Sequence, residues 1–123
     1  MAAGIAVGPV DAMLTTVTGT DGVYVQLHTG DPGSAGTSNV SSVTTRESVT
    51  WGSVSGGDVS MSNEPEWSSW AGTSPETETY ISFWSASSSG TFGMSMALSA
   101  SVTLNTGDSL TLTSASVSVS VAS

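Results

Sequence analysis

The chain has 123 residues, with a single arginine, no lysine and ten Asp or Glu, for a formal charge of −9. Binding phosphate needs clustered Lys or Arg, so this balance speaks against nucleic acid and anionic membrane surfaces as partners. With no cysteine, disulfides, thiolate zinc sites and thiol catalysis are excluded.

The length fits one domain with a modest core. Met1 to Gly8 is small and apolar, an arm expected to order only against something else. It lacks the cationic start of a secretion signal, and no stretch reaches the roughly 18 apolar residues of a membrane-spanning helix. Pro9 to Val17 predicts a two-turn helix. Pro9 suits its first position, Asp11 complements the helix dipole, and Val10, Met13, Leu14 and Val17 share one face. Gly19 to Gly22 ends it. Val23-Tyr24-Val25-Gln26-Leu27-His28 then alternates with period two, predicting a strand with one buried face. Asp31-Pro32-Gly33 stops it, because proline offers no N–H to a ladder and glycine accepts positive φ.

Ser34 to Ser42 reads as a loop. Arg46 to Val54 is a predicted strand, followed by the hairpin turn Ser55-Gly56-Gly57-Asp58 and a return through Val59 and Met61. Glu66 to Trp70 is expected to pair briefly. Thr77 to Ala86 alternates with aromatics on both faces, which points to a central strand. Phe92 to Leu98 and Val102 to Leu104 follow, then the Asn105-Thr106-Gly107-Asp108 turn, a strand through Leu110 and Leu112, and a Ser/Val strand through Val117, Val119 and Val121. That last strand carries no charge, so an open edge there would invite aggregation; pairing or a neighbouring subunit is expected to cover it. The pattern predicts an all-β fold: a β-sandwich, Ig-like or jelly-roll-like, of about eight short strands with a short N-terminal helix or arm. Residues 1–22 are assigned to the arm and helix, and residues 23–123 to the sandwich.

Candidate chemistry is sparse. His28 is the only histidine. A Ser–His–acid triad needs a nucleophile motif that the chain lacks, so His28, Asp31, Pro32 and Gly33 are read as a structural turn. Asp31 caps it through an Asx-type bond, with His28 in reach of Asp31. In that role His28→Ala is expected to act on stability alone, by about 1 kcal/mol. One histidine and no cysteine leave no zinc set, and no loop gathers the oxygens that calcium needs. No catalytic residue, cofactor or metal ligand is assigned. Glu64/Glu66 and Glu76/Glu78 are spaced i, i+2, with a solvated loop or edge strand as the plain reading. Trp67 and Trp70 fit core packing, a subunit interface or stacking on sugar; Trp51 and Trp84 are read as core. Met1, Ile5, Val7, Trp67 and Trp70 are the candidate interface residues.

The run Val23-Tyr24-Val25-Gln26-Leu27-His28-Thr29-Gly30-Asp31-Pro32-Gly33, followed by Arg46-Glu47-Ser48-Val49-Thr50-Trp51-Gly52 and Phe83-Trp84-Ser85-Ala86, resembles a family of small virion proteins of tailed bacteriophages. Many members carry Asp after the tryptophan matched by Trp84, where this chain has Ser85. The resemblance runs from about Val23 to the C-terminus. It implies a non-enzymatic virion structural protein. The reading favoured is a capsid decoration protein on the head surface, in contact with the major capsid protein and with copies of itself, as a homo-oligomer expected to be a trimer. The alternatives are a tail or tail-fibre component that binds a host glycan, and a free-standing carbohydrate-binding module.

Overall fold

A computed structural model describes residues 6–118. Helix α1 (Val7–Thr16) is followed by β1 (Tyr24–His28), β2 (Glu47–Ser48), β3 (Asp58–Ser60), β4 (Glu66–Trp67), β5 (Glu76–Trp84), β6 (Phe92–Leu104), β7 (Leu110–Thr111) and β8 (Ser116–Ser118). A four-stranded antiparallel sheet runs in the order β2-β1-β5-β6, and two antiparallel ribbons, β3-β8 and β4-β7, complete the fold. The result is an all-β sandwich of short strands with a short N-terminal helix.

Register places the core. Val25 lies opposite Phe83 and Leu27 opposite Ile81. These four pack with Val49, Trp67, Trp70, Leu104, Leu112 and Ala115. Burying side chains of this size stabilises by about 1.5–3 kcal/mol each. The alternate residues Gln26, His28, Ser82 and Trp84 are buried too, so the single buried face expected for β1 is corrected to two. The cause is the segment after the Asp31-Pro32-Gly33 turn. It pairs back along the edge of β1, with Thr29 N–H donating to Asn39 O (2.8 Å) and Ser41 N–H to Leu27 O (3.1 Å), and from there Ser38 and Arg46 reach His28, Gln26 and Trp84 on the second face. β5 is central, as its aromatics on both faces implied.

The helix differs in detail from expectation. It begins at Val7, inside the expected arm, which puts Pro9 in the first turn, where N–H groups have no intrahelical partner to lose. Val10 and Leu14 are buried against Val59, but Met13 is exposed, so the apolar face is narrower than predicted. Asp11 ties the helix down: its Oδ1 accepts the Gly57 N–H at 2.7 Å. Gly57 belongs to the expected hairpin turn, closed by two 2.9 Å bonds between Ser55 and Asp58. Gly56 and Gly57 there have φ of 60° and 82°, as a primed turn requires. Past α1 the chain makes one π-helical turn, Val17–Asp21.

Two strand expectations are corrected. Of Arg46 to Val54, only Glu47–Ser48 pairs in a sheet, with Trp51 bridging to Met61. The two apolar runs after Gly90 form one strand, β6, interrupted by a bulge in which Leu98 to Ser101 stand opposite Thr79 alone. β8 pairs with β3; Val119 and Val121 lie outside the described residues.

Candidate functional site

Two polar constellations and one cleft stand out. The first lies on the outer face of β1 and β5. His28 Nδ1 is 2.9 Å from the Ser38 carbonyl, so it carries the proton and donates. Nε2 is then the acceptor in neutral imidazole, and Ser82 Oγ, at 2.7 Å, donates to it. Ser82 Oγ in turn accepts the Trp84 indole N–H at 2.7 Å. The chain Trp84 → Ser82 → His28 → Ser38 therefore runs in one direction, with every polar atom paired. Burial holds His28 below its ordinary 6.5, outweighing the backbone bonds at Ser38 and Asn39 that favour charge; Arg46 adds to the lowering.

A serine within hydrogen-bond reach of a histidine is half of a hydrolase triad. Here the third member is a backbone carbonyl, and both Ser82 and His28 have 0% exposure. No substrate atom reaches Ser82 Oγ in this geometry. The expected contact between His28 and Asp31 is corrected: the ring bonds to Ser38 and Ser82. At the turn Asp31 Oδ1 accepts the Gly33 N–H at 2.9 Å. Pro32 is buried and Gly33 has φ +78°.

Arg46 covers this network from outside. Its guanidinium stands 4.1 Å from the Trp84 ring centroid. Nε donates to Gln26 Oε1 (3.1 Å), and Nη1 donates to the carbonyls of Ala86 (2.9 Å) and Ser89 (2.7 Å). The chain's one arginine therefore clamps the end of the fold-back loop to the connection between β5 and β6.

The second constellation is Glu76, Glu78 and Ser41. The sequence read this pair as solvated, but Glu78 is completely buried. Ser41 Oγ is 2.6 Å from Glu76 Oε1 and 3.1 Å from Glu78 Oε1. The other spaced pair stays at the surface, where Glu66 Oε2 accepts Thr111 Oγ1–H at 3.2 Å. Among the described residues no three His, Asp or Glu converge as metal ligands would.

The third is a cleft of about 570 Å³ between β6 and the segment through β7 to Ser116, floored by Leu27, Ile81 and Trp67. It has no charged side chain in its lining. Trp67 and Trp70, read as core, interface or sugar-stacking residues, are only 3% and 2% exposed and belong to the core. Their indole N–H groups donate to Thr45 O and Thr73 O, both at 2.9 Å. In this fold neither ring is presented to a partner. Val7 is 45% exposed; Met1 and Ile5 lie outside the described residues.

The residues that sequence reasoning missed are Ser82, Gln26 and Ser41. The signal for Ser82 was present: one serine between Tyr80 and Trp84, directly across the ladder from Gln26. Ser41 gave none, because it sits in a run of similar loop residues.

A family model described as Podophage GP4 fiber I protein gp80 matches residues 9–120. The chain belongs to that family of phage structural proteins. A search of curated proteins found no match.

Proposed function

We propose that this member of the podophage fiber family is a non-enzymatic structural subunit of the fibre, carried in the virion. The match over residues 9–120 carries the reading, since it takes in nearly the whole described domain. The site geometry supports it. The histidine and its serine are sealed inside the domain, and the arginine clamps a loop. Both work as struts. A glycan-binding role through Trp67 and Trp70 loses its support, because both rings are buried.

The second reading is a decoration protein on the head, contacting the major capsid protein and copies of itself in trimers. What favours it is helix α1, which leaves the apolar side chains of Val7 and Met13 exposed and free to meet a partner surface. Separation of purified heads from tails, followed by mass spectrometry and immunogold labelling against this chain, decides between the two. Fibre assignment predicts label and peptides in the tail fraction. Label spread over the head shell would replace it with the decoration reading.

A further inference from the structure

The head of β5 holds a pair of carboxyl groups that a passive strut does not require. Glu78 is fully buried and its Oε2 has no hydrogen-bond partner. Its other oxygen faces Ser41, which also bonds Glu76. The Ser42 N–H reaches both oxygens of Glu76, at 3.1 and 3.3 Å. Two ionised carboxylates so placed repel strongly where water is excluded. The charged group facing Glu78 is Glu76, on its own strand. The overlying segment contributes the hydroxyls of Ser41 and Ser42, β6 sets Val102 opposite in register, and beyond β1 the neighbour is Thr29, whose carbonyl accepts Thr79 Oγ1–H. None of these is cationic, and Arg46 is engaged on the far network.

The same segment closes over the core. Ser42 Oγ accepts the Thr73 N–H at 2.8 Å, and Thr73 O accepts the Trp70 indole N–H. Gly72 sits so tightly between them that an added Cβ would stand 2.7 Å from Val43 Cγ2 and 3.1 Å from Trp70 Cζ2. A shallow cleft of about 250 Å³ borders this lid, lined by Val43, Trp67 and Trp70 among others.

We propose that Glu76 and Glu78 share one proton as a latch: while it is held, the segment Ser41 to Val43 lies down on β5 and seals Trp70, and when it is lost the segment lifts and opens Trp70 to solvent. The surface released is apolar and aromatic, absent from the closed domain. Burial, together with the hydrogen bond and charge of Glu76, pushes Glu78 up to about 8. Burial alone would raise Glu76 as well, but bonds from Glu78, Ser41 and Ser42 outweigh it and hold Glu76 down to about 2. The latch is therefore closed at neutral pH and opens in mild alkali.

The test is tryptophan emission and acrylamide quenching of the full chain from about pH 6 to about pH 9, where an ordinary tyrosine is still largely protonated. The wild type is expected to shift to the red and quench more readily on the alkaline side, with its far-UV spectrum retained. Glu78→Gln, which keeps the shape and cannot ionise, should remove the transition. Glu76→Gln removes the facing charge and should move the transition to lower pH. A wild-type signal flat across the range overturns the proposal, as does a transition that survives unchanged in both variants. If either variant fails to fold, the wild-type titration and the remaining variant still decide. Fibre or head location has no bearing on this outcome.

Discussion

Replacing His28 by alanine puts the central network to a quantitative test. The side chain has 0% exposure and makes two hydrogen bonds, to Ser38 O and Ser82 Oγ. Each is worth about 1 kcal/mol net. Removing the ring leaves the Ser82 hydroxyl without its acceptor in a buried site, which costs about 1–3 kcal/mol, and an imidazole-sized void adds to that. The expected loss is about 3–5 kcal/mol, well above the roughly 1 kcal/mol of an exposed turn bond. Ser82→Ala leaves less empty space but orphans both the Trp84 N–H and His28 Nε2, for about 2–4 kcal/mol. Because the two residues share one bond, the double variant should fall short of the sum by about 1 kcal/mol or more. Urea unfolding followed by tryptophan fluorescence measures all three. A His28→Ala loss of about 1 kcal/mol or less, by the same scale, would refute the account of a buried, fully paired relay.

Arg46→Ala should destabilise by about 2–3 kcal/mol, since it removes the contact with Trp84 and three hydrogen bonds; Arg46→Lys should recover only part in thermal melts, because a single ammonium nitrogen lacks the spaced Nε and Nη1 donors and the planar face that lies on Trp84. Gly36→Ala should cost about 1–3 kcal/mol, since its φ is +73° and a Cβ there would stand 2.5 Å from Phe92 Cδ1. Glu78 contributes stability that falls as pH rises from 4.5 towards about 8, where the unfolded Glu78 has lost its proton and the folded one keeps it; because His28 opposes it below 6.5, the net fall should show between 6.5 and about 8. The slope is at most about 1.4 kcal/mol per pH unit, and Glu78→Gln should flatten it in urea titrations. On the acid side, Glu76 contributes stability that is lost as pH falls from 4.5 towards about 2, and neutral His28 contributes stability that is lost as pH falls below 6.5; denaturation midpoints against pH should show this acid limb.

How much of this was legible in the sequence follows from what each signal reports. Period two in Val23 to His28 and in Thr77 to Ala86 names which residues share a face, and both alternations hold in the register of β1 with β5. Alternation does not say whether the second face is wet. That depends on whether the loop from Pro32 to Arg46 returns over it, a tertiary event held by Asn39, Ser41 and Arg46. The Gly56-Gly57 turn was readable because positive φ at both centres is a local demand. The strand expected from Arg46 to Val54 shrank because only Glu47 and Ser48 face a partner strand, β1. Trp67 and Trp70 looked like loop aromatics, and chain order alone cannot show that β4 lies over the core of a separate sheet.

The acidity of the chain has a consequence at Glu78 that neither pattern nor fold supplies by itself. In most proteins a buried carboxylate is answered by a buried arginine or lysine. This chain has ten acids and one arginine, and that arginine is occupied at Trp84 by the demands of the fold-back loop. A glutamate drawn under the Ser41–Val43 segment therefore meets no cationic side chain among the described residues, and a proton neutralises it there. The pH dependence predicted for the domain is thus set by composition as much as by geometry. Placing a cation there should abolish it: Ser41→Lys, if its ammonium reaches Glu76 and Glu78, would pair both carboxylates and flatten the alkaline limb in the same urea titration. An alkaline limb as steep in Ser41→Lys as in the wild type, with a structure of the variant showing the ammonium on both carboxylates, would show that the shared proton is not what holds this pair.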